Sequence, residues 1–226
     1  MTKDKSKSLT IHHNNSLARV ERSIAITNKL LSIIDDTVTD IDGNVHKTVK
    51  IGNQTWMAEN LNVGEWILSN NPGQSTNQII EKYCYVDDAN NCELYGGLYK
   101  WNELMQNSTQ ESVQGICPNG WHIPSDYEWY ILENFVDSTI NDSTIEGWRG
   151  VSAGIDLGYG GSTNFEAVGK GYFHISYYDF SSSYFFTSSE KTGTAAFCRT
   201  LNPQYFGSFR GDMLKETALS VRCVRD

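Results

Sequence analysis

From Ser16 to Ile34 the chain reads SLARVERSIAITNKLLSII, in which Leu17, Val20, Ile24, Thr27, Leu31 and Ile34 step in alternating threes and fours. That spacing predicts an amphipathic helix with a heptad-like seam, widened by Ile26, Leu30 and Ile33. Such a stripe can pack on the rest of the chain, on a second copy of itself, or on a carrier to which it docks. The polar run DDTVTD at 35–40 reads as a hinge, so the chain divides into a tail with a docking helix, 1–37, and a body, 38–226. Past the hinge the period changes. Val45, Val49 and Ile51 lie between the turn signals Asp42-Gly43 and Gly52-Asn53, a pattern of short strands.

Residues 64–80, rich in Asn, Ser and Gly, read as a loop, and ELYGGLYKWNELMQN at 93–107 reads as a short helix after a Gly-Gly turn. Its apolar face would hold Leu98, Trp101, Leu104 and Met105. In CPNGWHIPSDYEW, residues 117–129, Ser125 and Glu128 have capping-box spacing. Trp129, Leu132, Phe135 and Val136 then form the apolar stripe of a second helix, and Pro124 holds Ile123 extended ahead of it. A Gly-rich stretch from Glu146 to Gly171 follows. The remainder alternates aromatic strands with Ser-rich loops and ends on ALSVRCVRD, where Leu219, Val221, Cys223 and Val224 mark a buried strand.

Composition narrows the class. Apolar residues at 39% and charged residues at 20% suffice for a core, while 12% aromatics with 19 Gly and 4 Pro favour irregular β-rich structure. A net charge of −9 argues against nucleic acid. No run approaches the roughly 18 apolar residues of a membrane span, and the N-terminus lacks the apolar core of a secretory signal. Five cysteines, an odd number, include two pairs placed like disulfide partners.

The segments TDIDGNVHKTVKIGNQTWMAENLN (39–62), YGGLYKWNELM (95–105), GICPNGWHIPSDYEW (115–129), YFFTSSE (184–190) and LSVRCVRD (219–226) together resemble the Fibrobacter succinogenes major paralogous domain, found in Bacteroidetes surface proteins. More distantly, the Gly-Trp-x-x-Pro approach to the helix and the closing Val-Arg-Cys-Val-Arg resemble the formylglycine-generating-enzyme branch of the C-type lectin-like fold. The resemblance implies an α+β, C-type lectin-like body, with a small twisted antiparallel sheet, two main helices and long loops. A separate N-terminal amphipathic helix precedes it. In such folds the first and last strands of the body lie side by side. That implies a Cys117–Cys223 staple where the terminal strand meets the helix approach, and a Cys84–Cys92 bridge closing CYVDDANNC. It also implies an extracellular or cell-surface location, although this N-terminus does not read as an export signal.

Enzyme readings come from the same distant relatives. Formylglycine-generating enzymes carry two close cysteines late in the fold, whereas Cys198 stands alone in AAFCRTLN and reads as a small core residue. His12, His13, His46, His122 and His174 are scattered, so no metal site is expected, and no cofactor motif occurs. His122 reads as satisfying a local hydrogen bond. DIDGN at 40–44 reads as a turn rather than a calcium loop, and YVDDANNCE at 85–93 as loop polarity. The stretch GYFHISYYDFSSSYFFTSSE, 171–190, alternates Tyr with Ser as antibody paratopes do. Phe185 and Phe186 belong to the core. Tyr172, His174, Tyr177, Tyr178 and Tyr184 are expected on a ligand surface, with Asp179 and Ser182 supplying hydrogen bonds. Arg199, Asn202, Gln204, Tyr205 and Arg210 extend that face. The expected function is non-enzymatic recognition or adhesion, binding protein or glycan, with C-terminal loops that some lectin-like relatives diversify through retroelements. The alternative is an oxidase of the formylglycine-generating type. The helix at 16–34 is expected to serve a carrier or self-association.

Overall fold

The computed structural model describes residues 37–71, 79–169, 171–174, 177–178, 182–202 and 204–226, with Tyr177 and Tyr178 described by their backbone. The helix expected at 16–34 lies outside them. Val38–Asp226 form one compact unit. In chain order the strands are β1 Thr37–Thr39, β2 Val45–Ile51, β3 Gln54–Met57, β4 Glu65–Ile67, β5 Glu81–Tyr83, β6 Tyr99–Lys100, β7 Trp121–His122 and β8 Gly147–Arg149. They continue with β9 Phe173–His174, β10 Tyr177–Tyr178, β11 Ser183–Thr192, β12 Ala195–Leu201, β13 Ser208–Leu214, β14 Ala218–Leu219 and β15 Val224–Arg225. The helices are α1 Ala89–Tyr95, α2 Trp101–Leu104, α3 Asp126–Val136 and α4 Ala153–Asp156. The chain is thus mixed α/β, its sheets antiparallel apart from the β4–β5 pair.

A five-stranded sheet in the order β1-β2-β3-β15-β7 joins the two ends of this unit: Val224 lies opposite Trp56 of β3 on one side and His122 of β7 on the other. The hairpin β2–β3 forms because Gly52 takes φ +60, and a Cβ there would lie 2.9 Å from the Phe135 ring. Ahead of β2, DIDGN is a turn as expected. Asp40 Oδ1 accepts from the N–H groups of Asp42 and Asn44, and Oδ2 meets His46 Nε2 at 2.8 Å. A second sheet has the order β11-β12-β13-β8, and a third β10-β9-β14-β6.

Two expectations need correction in the helices. The helix expected after the Gly-Gly turn forms but is shorter, because Tyr99 and Lys100 pair with β14 before it starts, and a second, unexpected helix precedes the turn. Gly96 takes φ +79, where a Cβ would fall 2.6 Å from the Asn60 Cβ, so α1 stops at Tyr95 and α2 begins only after β6. Leu98, Trp101, Leu104 and Met105 are buried nonetheless. Helix α3 has the expected capping box, with Glu128 N–H donating to Ser125 Oγ and Ser125 N–H to Glu128 Oε2. Its buried face differs from the apolar stripe. Trp129 and Leu132 are buried, but Phe135 is exposed and Glu133 is buried in its stead. The segment read as a loop at 64–80 contains the short strand β4, and the Gly-rich stretch 146–171 contains β8 and α4.

Trp56, Trp129, Phe165 and Phe185 form an aromatic cluster, with Trp56 and Trp129 at 5.0 Å and Trp129 and Phe185 at 5.4 Å. Phe186 and Cys198 sit in the adjoining cluster with Trp101 and Val221. The terminal segment is buried from Ala218 to Val224 but is strand only at β14 and β15. Between them Leu61 N–H donates to the Val221 carbonyl and Met57 N–H to that of Cys223. Arg222, wholly buried there, donates to Asn60 Oδ1 and to the carbonyls of Met57, Phe165 and Glu166. Burial pushes its pKa down to about 9, so it stays a cation, stacked 4.5 Å over Phe165. Both expected disulfides are present, Cys117–Cys223 with Cα atoms 6.0 Å apart and Cys84–Cys92 at 5.1 Å. Cys198 is free and buried.

Reduction should therefore act mainly through Cys117–Cys223, which spans a separation of 106 residues. Cys117→Ser with Cys223→Ser is expected to cost about 2–5 kcal/mol in chemical denaturation, and the Cys84/Cys92 pair less, because a longer closed loop constrains the unfolded chain more. Equal losses from the two pairs would contradict that ranking.

A pH effect follows from His122, whose Nε2 lies 2.7 Å from Glu128 Oε1 and whose Nδ1 lies 2.6 Å from Asp226 Oδ1. The hydrogen bond to Glu128 raises the His122 pKa above 6.5, against burial. Its contribution is complete below pH 6.5 and is lost as pH climbs through the raised value. Burial alone would raise Glu128, but hydrogen bonds from His122 and Ser125 hold it down to about 2. Its contribution is complete above pH 4.5 and is lost as pH falls toward 2. Urea unfolding at ~pH 6 and ~pH 9 should show the wild type losing more stability on alkalinisation than His122→Asn.

Candidate functional site

Helix α3 crosses one face of the sheet β11-β12-β13-β8, and the residues between them are charged. Arg199 Nε reaches Glu133 Oε1 and Oε2 at 3.1 and 3.0 Å, and its Nη1 reaches Asp126 Oδ1 at 2.7 Å. Arg210 Nη2 donates to Asp126 Oδ2 at 2.7 Å, while Ser208 Oγ and Arg149 complete the shell of Glu133. Burial would raise Asp126, but Arg210 and Arg199 hold it below its ordinary value. Arg199 and Arg210 were expected on a ligand surface. They are buried, and their donors are engaged inside the protein.

The opposite face carries a row of residues in register across all four strands. Tyr184 lies opposite Thr200, Thr200 opposite Phe209, and Phe209 opposite Trp148. Paired positions share a face, so these side chains stand together. Tyr172 packs edge-on against Tyr184 at 5.1 Å at one end, and Tyr205 stacks on Trp148 at 4.1 Å and 15° at the other. The Phe209 ring lies over Gly211, where a Cβ would come within 2.4 Å of it. Among these residues Trp148 and Tyr205 are exposed, Tyr172, Tyr184 and Phe209 half-buried, and Thr200 buried.

At the Tyr184 end, the antiparallel pair β9–β10 sets Tyr177 opposite His174 and Tyr178 opposite Phe173. His174 is half-buried, its Nδ1 3.1 Å from Thr217 Oγ1. Asp179 lies outside the described residues. Ser182 and Asn202, also expected as ligand contacts, are both buried and bond each other at 2.8 Å, with Asn202 Oδ1 accepting from Gln204 N–H. They shape the β12–β13 connection. The structure thus brings Tyr172, His174 and Tyr184 to one end of the sheet and puts Tyr205 at the other. Trp148, Phe206 and Phe209 escaped the sequence reading. Trp148 lies in a three-residue strand and Phe206 in a loop flank, both too short to show a period, while in β13 the charged Arg210 and Asp212 on the other face mask the strand that carries Phe209. Cys198 stands under Phe186 on the same face, and burial pushes its thiol up to about 12.

The ion network fixes the sheet behind this row. Glu133→Ala leaves Arg199 and Arg149 buried without their shared carboxylate, with an expected loss of about 3–5 kcal/mol. Phe135→Ala on the same helix should cost well under half of that, since Phe135 is exposed. Thermal or urea denaturation of the two variants reads the difference, and a reversed order would refute the assignment.

Residues 49–225 match the Fibrobacter succinogenes major domain family. No curated protein and no solved structure matches the chain. The matched span begins within β2 and ends within β15, so it takes in the paired terminal strands, the disulfide between Cys117 and Cys223, and the whole aromatic row. The chain belongs to the Fibrobacter succinogenes major domain family.

Proposed function

We propose that the chain is a non-enzymatic recognition module of C-type lectin-like fold, which takes its ligand at the Tyr172–Tyr184 end of the sheet and on the adjoining β9–β10 hairpin. The observation that carries this reading is the half-buried pair Tyr172 and Tyr184 at the end of a sheet whose other face is locked by buried ion pairs. Rigid aromatic side chains on a braced scaffold give contact area with little ordering cost. The Tyr/Ser composition suits a protein ligand ahead of a glycan. Pairing of β15 with β3, and the packing of α3 on the sheets, support the lectin-like fold. Two disulfides support display in an oxidising compartment, on a cell surface or a secreted particle.

The oxidase alternative has less support. Four of the five cysteines are paired, and Cys198 is buried with its pKa pushed up to about 12, which leaves negligible thiolate at neutral pH.

The test is capture by the full chain on protein and glycan arrays, alongside Tyr177→Ala and Tyr178→Ala. The wild type should capture a ligand, and the double variant should lose at least tenfold in affinity, about 1.4 kcal/mol or more, with an unchanged melting temperature. Capture that survives the substitutions, or unfolding of the variant, refutes the site. Stoichiometric copper or iron with thiol oxidation would refute the non-enzymatic reading.

A further inference from the structure

The Trp148 end of the row belongs to a second surface. Trp148, Val151, Ile155, Tyr205 and Phe206 are exposed at 41%, 66%, 46%, 49% and 67%. Large apolar residues scattered singly on a surface need no explanation, but a rigid group of them does. These come from three segments held together by their backbones. Gly154 N–H donates to the Phe206 carbonyl at 2.8 Å. A Cβ at Gly154 would fall 2.1 Å from the Gly207 carbonyl oxygen, and one at Gly207 would fall 2.2 Å from that of Arg149. The group is therefore preformed, not a loop fluctuation.

Beside it runs β8, the last strand of its sheet among the described residues. Sheet edges are commonly protected by charged side chains, proline or a covering element. β8 holds no proline, and its one charged residue, Arg149, turns to the helix face and binds Glu133. A Cβ on Gly147 would meet nothing within 4 Å, so the edge can be approached there. On the Trp148 face Ala196, Cys198, Thr200 and Gly211 are buried, and the residues that β8 and β13 leave at least partly exposed there, Trp148, Phe209 and Met213, are uncharged.

From this we infer that β8 pairs with β8 of a second copy of the chain across a two-fold axis, with the Trp148 group covered in the interface. An identical edge is matched in length and becomes antiparallel under the two-fold, so every outward backbone group meets its complement. Charge selects the same place. The chain carries −9, and two copies repel least through a patch whose five exposed side chains, Trp148, Val151, Ile155, Tyr205 and Phe206, bear none of that charge. The area is small, at the low end below ~1,200 Å², so the dimer is reversible with Kd on the order of 10 µM. This inference is independent of the ligand reading above.

Sedimentation equilibrium of the full chain decides it, from ~1 to ~300 µM protein in ~50 and ~500 mM NaCl, since salt screens the repulsion between copies. A monomer–dimer equilibrium that tightens at high salt is expected. Trp148→Glu should weaken it at least tenfold, Phe206→Ser should weaken it in the same direction, and Tyr127→Ser, an exposed site on α3, should leave it unchanged. Circular dichroism confirms that each variant is folded, and Phe206→Ser decides should Trp148→Glu unfold. A monomer at every concentration overturns the inference. So does a dimer indifferent to both interface substitutions, which would join through another surface or be bridged by some other segment, and so does one that salt weakens.

Discussion

Glu133 is the side chain on which the arrangement of the sheet depends. It sits on the core-facing stripe of α3, where helical period calls for an apolar residue, and one carboxylate there accepts from Arg199, Ser208 and Arg149. Asp126 lies seven residues earlier, two turns up the same face, and binds Arg199 and Arg210. A buried charge without partners is costly, so each of these groups is tolerable only if the others are in place. Guanidinium forks demand direction as well as distance. A shift of α3 along the sheet, or a slip of β12 against β13, would break several bonds at once. The network therefore sets register more than it adds net stability.

The same constraint divides the sheet chemically. Arg149, Arg199, Ser208 and Arg210 occupy alternate positions facing α3, so the positions between them point away and are left to Trp148, Thr200 and Phe209. Charge consumed on one face leaves the other neutral and aromatic. Helix α3 is fixed at its start by a different device. Glu128 closes the capping box and also binds His122, which holds the terminal Asp226. The last residues reach the helix a third way, because Cys223 is bonded to Cys117 just ahead of it. Burying Arg222 among carbonyls then seals the terminal segment against the Phe165 loop.

Local chemistry was legible in the sequence, and partnership across the chain was not. Ser125 and Glu128 announce a helix start by their own spacing, and they form it. Gly52-Asn53 announces a hairpin in the same way. The Cys117–Cys223 pair came from the resemblance, which supplied the adjacency of the terminal segments that no spacing could, whereas the short CYVDDANNC spacing itself pointed to Cys84–Cys92. The failures share one cause. Phe135 and Glu133 exchange roles because Arg149 and Arg199 from distant strands meet the helix there, and an amphipathic stripe cannot register a buried carboxylate whose partners lie 16 to 75 residues away. Arg199 and Arg210 looked like surface residues for the same reason. At 93–107 the apolar spacing found the helix after the Gly-Gly turn but overran its start, since Tyr99 and Lys100 pair with the distant β14 and α2 begins only at Trp101. Trp148 could be found only once the register of β8 placed it beside Phe209.

One sheet with two aromatic ends can serve two purposes if the ends differ, and they do. The Tyr172–Tyr184 end is half-buried, carries hydroxyls and adjoins a hairpin with two further tyrosines. At the Trp148 end the exposed side chains are large and apolar around the Tyr205 stack, and they adjoin the strand that ends the sheet among the described residues. In the dimer proposed above, the strands would run β11-β12-β13-β8 and then in reverse order through the second copy. The two tyrosine ends would stand seven strand spacings apart, about 34 Å at ~4.8 Å each, and would face the same side of one continuous sheet. A ligand presented repeatedly on a surface would meet both at once. The second contact then becomes intramolecular, and avidity exceeds what either site supplies alone. Weak individual sites, which a small tyrosine surface implies, are the case in which such doubling matters most.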